Sequence, residues 1–242
     1  MLSKFKPTWV GTLVTICCIP LFIKLGLWQY SKAEQKMILQ AQYDAERAHQ
    51  AEEIPTDLSN LEGLRYKQIK VSGQYLKQYQ ILLDNQVEGE TAGYHVITPL
   101  KIDGKDELVL VDRGWIPASD NHADLPKVDV PEGAQNVVGQ IWVPSKRFYT
   151  LSPQQALQGQ WQILWQNMDM AAYAKAVPVK VLPVVIRMSP DNQGGFVRNW
   201  IRPDDRIATH LGYAYQWFGF AFAAFAIYLI VGFRRGKKAS IN

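Results

Sequence analysis

The sequence predicts a membrane protein in which two transmembrane α-helices flank a mainly antiparallel β domain, a barrel or sandwich of α+β type, held outside the cytoplasm. Three observations carry this. Apolar stretches lie near both ends of the chain, short β-like runs between turn residues fill the middle, and the charges divide unequally between middle and ends.

The C-terminal stretch Leu211 to Phe233 has 23 residues and no charge, and Arg234, Arg235, Lys237 and Lys238 follow it directly. As a helix it would reach about 34 Å, a little more than the roughly 30 Å of a hydrocarbon core. The N-terminal stretch Trp9 to Trp28 is less pure, since it contains Pro20 and Lys24. A lysine near the end of a span extends its stem to the headgroups, and the bracketing tryptophans favour the interface. Lys4 and Lys6 also suit a signal peptide, but the apolar run is long for one. No small-x-small cleavage site follows it, so an uncleaved anchor is expected.

Charge orients the pair. All 22 acidic residues lie between Gln29 and Ala208, with only 19 of the 26 Lys and Arg, so this 180-residue middle is about three charges negative. The basic excess sits in short tails, which favours a cytoplasmic position for both termini. The expected layout is a cytoplasmic tail (1–8), a first span (9–28), a periplasmic domain (29–208), a second span (209–233) and a cytoplasmic basic tail (234–242). No Arg-rich transit peptide is visible, which points to a bacterial inner membrane rather than a mitochondrial one. The net charge of +4 therefore reads as a topology signal and not as a nucleic-acid footprint.

Residues 29–53 are rich in Ala, Gln, Glu and Lys without Gly or Pro, and should prolong the first span as a helix ending before Pro55. The β-rich core is expected over 65–200. Its first group of runs is RYKQIKVSGQY, QILLDNQV, GYHVITPLKI and ELVLVDRGWIP, with Asp103-Gly104 marking a hairpin between the last two. A second group comprises NVVGQIWVP, WQILWQ, VLPVVIRMSP and FVRNW, with a short helix expected over Met168 to Ala176 and a mobile loop over Pro190 to Gly195. Strands at this spacing without long intervening helices favour antiparallel pairing.

Catalytic and metal motifs are few. The only cysteines, Cys17 and Cys18, lie in the first span, so the outer domain offers neither a disulfide nor a thiol for copper. His49, His95, His122 and His210 are scattered, without a pair at metal-ligand spacing. No phosphate loop, H-E-x-x-H motif or nucleophile elbow appears, and a non-enzymatic role is expected.

His210 stands out because it opens the second span near the outer membrane face, where an ionisable group is a functional candidate. Tyr213, Ala214 and Trp217 follow at helical spacing. A neutral imidazole among aromatic and small residues suits a flat macrocycle and can ligate haem iron. The same residues also suit an interfacial histidine hydrogen-bonded to the outer domain or a lipid headgroup, beside an aromatic belt. Gly219, Ala223 and Ala224 would permit close helix packing.

Four ordered segments are similar to the SURF1 family: LGLWQYSKAEQK ending the first span, RYKQIKVSGQY with Tyr66 and Gly73, GYHVITPL with LVDRGWIP, and THLGYAYQWFGFAF opening the second span. Lys32 stands where that family usually has Arg, and Thr209 where Asn often precedes the histidine. The resemblance implies an assembly factor for a haem-copper terminal oxidase that binds haem a transiently. Its implied partners are oxidase subunit I, enzymes of haem a synthesis and membrane lipid. The alternative is an accessory or scaffold subunit that stabilises the oxidase without haem. The histidine it implicates in haem binding matches His210, as the iron ligand; Tyr213 and Trp217 join it as candidate cofactor contacts by their helical spacing alone. Arg113 would hold a haem propionate or partner carboxylate, or else pair structurally with Asp112 or Asp84. Gly114 and Trp115 are expected to close a strand and anchor a core, and Gly73 to allow a close backbone approach.

Overall fold

The computed structural model describes residues 5–119, 124–145, 161–192, 194 and 196–238. His122, Gln193 and Gly195 of the expected mobile loop, and the outermost residues of both tails lie outside these. The chain divides into a helical unit, residues up to Ala41 and from Arg202, and a sheet unit, Gln42–Ile201.

The helical unit is built on α1 (Trp9–Arg47) and α3 (Ile207–Lys238). Each has a stretch long and apolar enough to cross a membrane, and only 6% and 11% of those stretches are buried by protein. The core helix of a soluble domain would have most of that surface covered. The Thr8 hydroxyl accepts from Gly11 N at 3.1 Å and caps α1. The helix continues through Pro20, which lacks the N–H for one rung of the ladder.

Both helices outrun the apolar stretches that identify them, with α3 absorbing Arg234, Arg235 and Lys237 as further turns. The helical extension expected to residue 53 is shorter, ending at Arg47. Glu52–Glu53 instead forms strand β1, parallel to β2 (Gln68–Tyr75), with Lys67 Nζ 2.9 Å from the Glu52 carboxylate. Pairing with an open strand edge and this ion contact outweigh local helix propensity there.

In the sheet unit, β2 is followed by β3 (Ile81–Glu88), β4 (Thr91–Ile102), β5 (Glu107–Pro117), β6 (Ala134–Trp142), β7 (Leu164–Trp165), α2 (Met170–Ala176) and β8 (Lys180–Met188). The order is β1-β2-β6-β8-β5-β4-β3-β7, and β2 also pairs with β4. Five strands thus form a closed circuit of pairings. Gly73 sits at its joint, facing Ile102 of β4 and Gln135 of β6. A Cβ there would come within 2.9 Å of the Lys101 carbonyl carbon, so the glycine permits the approach.

The sheet is mixed, not simply antiparallel: β1–β2, β3–β7 and β5–β8 are parallel. The parallel β5–β8 contact joins distant parts of the sequence, which no hairpin pattern reveals. FVRNW forms only a bridge, Val197 to Trp115, and not a strand.

Alternation divides the apolar residues between two faces. Ile69, Leu100, Val109, Val137, Val184 and Ile186 meet inside the circuit. Leu108, Leu110, Ile81 and Val185 pack on the other face beneath Trp165 and Tyr173 of α2. Each such side chain contributes about 1.5–3 kcal/mol by leaving water. Asp169 caps α2, its Oδ1 accepting from Ala171 N and Ala172 N at 3.0 Å, which starts the helix two residues later than expected. Gly104, with φ +72°, turns the expected β4–β5 hairpin.

Candidate functional site

A ladder of contacts runs along the two helices of the helical unit. Lys36 Nζ donates to Asp205 O at 2.6 Å, the His210 and Gln29 side chains meet, Gly26 lies on Phe218, Phe22 stacks on Trp217 at 5.8 Å, and Thr12 and Tyr228 hydroxyls meet at 3.0 Å. The helices are therefore antiparallel. At Gly26 of α1 a Cβ would stand 2.5 Å from Phe218 Cε1, and at Gly232 of α3 it would meet the Phe5 ring, so each helix carries a glycine that admits an aromatic ring. Gly219, expected to serve that purpose, has open space at its Cβ position. The buried small residues of α3 are Ala214, Ala221, Gly232 and Gly236.

His210 Nδ1 lies 2.7 Å from Gln29 Oε1. Because that amide oxygen only accepts, Nδ1 is the donor, which in the neutral ring leaves the lone pair on Nε2. Nε2 has no partner among the described residues. Trp217, two turns on, packs on Phe22 and edge-on to Phe220 at 5.7 Å. Tyr213 is half exposed and stands off this face. The structure thus brings His210 and Trp217 onto one helix face with Ala214, and leaves Tyr213 at its margin. A hydrogen-bonded Nδ1 with a free Nε2 is the form in which an imidazole serves as an axial ligand. The donor set fits a haem iron.

Arg113 belongs to the sheet unit and is buried. Its Nη1 donates to Asp129 O at 3.0 Å and Gln80 Oε1 at 3.3 Å, and its Cζ lies 4.7 Å from the Phe196 ring and 5.5 Å from Tyr75. Burial pushes its pKa below the ordinary value. The expected pairing with Asp112 or Asp84 is not what holds it. Successive strand residues point to opposite faces, so Asp112 and Arg113 are separated by the sheet.

The sequence model of the SURF1 family matches residues 16–222, most of the chain. The chain belongs to the SURF1 family. Among similar proteins, a SURF1-like protein of Rickettsia felis is 25% identical, covering 90% of this chain and 95% of its own length. A SURF1-like protein of Rickettsia conorii is 24% identical over 87% of this chain and 86% of its own. The Surfeit locus protein 1 of Takifugu rubripes is 24% identical over 81% and 85%.

In this SURF1 family member the first and last of the four resembling segments meet each other. Gly26 and Gln29 of LGLWQ touch Phe218 and His210 of HLGYAYQWF. The middle segments meet in the sheet. Trp115 of RGW pairs with His95 of GYHV, donates from Nε1 to Gln86 O at 3.1 Å, and bridges Val197. Gly114 has φ +124° with Phe196 Cβ and Val197 O 2.7 Å from its Cβ position, a conformation and a space that favour glycine.

Sequence reasoning missed one group in the sheet unit. Asp112, only 1% exposed, lies 3.0 Å through both carboxylate oxygens from His95 Nδ1 and accepts from Gly114 N at 3.2 Å. Arg187 of β8 reaches it at 3.9 Å. The available signal was an ionisable residue within each of three largely apolar strands, at positions that only the pairing brings together. Gln29 was likewise read as part of a motif without a role of its own.

Proposed function

We propose that this protein is a membrane-anchored assembly factor for a haem-copper terminal oxidase, which binds haem a through His210 and assists its insertion into oxidase subunit I. α1 and α3 cross the inner membrane of a bacterium, both termini are cytoplasmic, and the sheet unit is periplasmic. The protein turns over no substrate of its own. Membership of the SURF1 family supports the oxidase role. Two apolar helices left uncovered by protein support the anchoring.

The observation that carries the cofactor reading is the hydrogen bond from His210 to Gln29. It fixes the ring so that Nε2 is the free donor atom. Trp217, with Tyr213 at the margin of the face, offers aromatic surface to a planar, apolar group. Haem a, when bound, supplies the iron and its ligand-field chemistry. His210 would offer one imidazole nitrogen to the iron, Trp217 would present an apolar surface, and the chain would release the group to a partner.

The test is to purify the full-length protein in detergent from cells that make haem a and record absorption spectra beside His210→Ala. A stoichiometric haem spectrum, lost or shifted in the variant, is the expected result. A folded parent without haem would remove the ligand role and leave the accessory-subunit reading, with loss of oxidase from cells lacking the protein as its readout.

A further inference from the structure

The sheet unit contains a cavity of about 210 Å³ whose lining includes His95, Asp112, Trp142, Met168 and Arg187. The Arg187 guanidinium forms no hydrogen bond with any described residue, and its Nε is buried without a hydrogen-bond acceptor. It is held by aromatic faces, its Cζ 4.2 Å from the Trp142 ring and 5.3 Å from Trp200. Trp200 is itself anchored by Nε1 donating to Met188 O at 2.8 Å. A buried N–H without an acceptor is costly, so its retention calls for a role.

Asp112 does not supply that acceptor. Its oxygens are engaged by His95 Nδ1 and Gly114 N, and the guanidinium stays at 3.9 Å, beyond hydrogen-bond reach. The same carboxylate orients the imidazole. His95 Nε2 has no partner among the described residues and is the ring atom left for the cavity.

We infer that this cavity is a binding site for a small carboxylate-bearing ligand, whose carboxylate is received by Arg187 beside His95 and whose apolar part rests among Leu83, Trp142 and Met168. A guanidinium fork matches a planar carboxylate, and a fork already fixed between two indoles loses little freedom on binding. Arg187 and Asp112 cancel in charge, so the site accommodates one added negative charge. A phosphate dianion would bring a second negative charge beside Asp112 and is disfavoured. This site is independent of the haem reading, and either can fail without the other.

The test uses the full-length protein in detergent, labelled with ¹⁵N-arginine and titrated with butyrate at constant pH and ionic strength. One Arg Nε–H resonance, absent from Arg187→Lys, is expected to move saturably. Saturation-transfer spectra of butyrate itself read affinity in every variant. Arg187→Lys and His95→Gln should each weaken it by roughly tenfold or more, the loss of a charge-assisted or oriented hydrogen bond. If Arg187→Lys does not fold, the parent titration and His95→Gln decide. An unsaturable drift, butyrate binding unchanged in both variants, or equal competition by inorganic phosphate would each overturn the proposal.

Discussion

His210 of α3 and Gln29 of α1 are hydrogen-bonded side chain to side chain at 2.7 Å, although 181 residues separate them in the chain. The contact ties the candidate ligand to the opposite helix and selects its tautomer. A second residue, not itself a ligand, is thereby placed in control of the first.

Gln29→Leu should weaken haem binding about ten- to a hundredfold, the usual effect of removing the hydrogen-bond partner of a metal-bound imidazole. Gln29→Glu, which keeps an acceptor oxygen, should retain most of the affinity. Haem titration of the purified variants, followed by absorbance, checks both, and equal affinity in Gln29→Leu would show that the contact does not orient the ligand.

Gly26→Leu should loosen the helix pair, because the Phe218 ring occupies the place of the new side chain. Overpacking of this kind costs about 1–3 kcal/mol. Thermal unfolding in detergent should show a lowered midpoint that Phe218→Ala partly restores when the two are combined. Additive losses in the double variant would contradict direct packing between them.

Gly114→Ala should destabilise the sheet unit by about 1–3 kcal/mol through its φ of +124° and the crowding by Phe196 and Val197. Gly89 provides the control, since its φ is also positive at +62° but its Cβ position is open. Gly89→Ala should cost less. Denaturant titration of the two variants measures the difference, and equal losses would assign the whole effect to backbone conformation.

Tyr75 makes the sheet unit sensitive to alkali. Burial is the main cause that pushes its pKa up to about 12, against the opposing pull of Arg113 and Arg198. The folded state keeps the phenol proton where the unfolded chain loses it, so stability is full below pH ~10 and falls between about 10 and 12 by roughly 2 kcal/mol. Tyr75→Phe should flatten that part of the stability profile. A slope unchanged in the variant would move the effect to another group.

The apolar stretches, most of the strands and the β4–β5 hairpin were legible because each depends on residues close together in the chain. The end of α1 was not, since Glu52 and Glu53 pair with β2 and leave the helical pattern. The parallel β5–β8 pairing was not legible either, nor was the reduction of FVRNW to a single bridge. In the site, His210 was visible as an ionisable residue in an apolar context. Gln29 stood in a recognised motif, but nothing local connected it to His210. Arg113 was expected to find a carboxylate and found carbonyl and amide oxygens between aromatic rings.

By itself the sequence determined two apolar helices, the sign of the charge on each side of them, a β-rich middle and the family. These follow from composition and short-range periodicity, which act through hydrophobicity and local backbone preference. Only the tertiary structure decided which side chains meet: His210 with Gln29, Phe218 with Gly26, and His95, Asp112 and Arg187 around one cavity. Hydrogen bonds and packing contacts reach only a few ångströms, so they depend on strand register and helix facing, which no single segment carries.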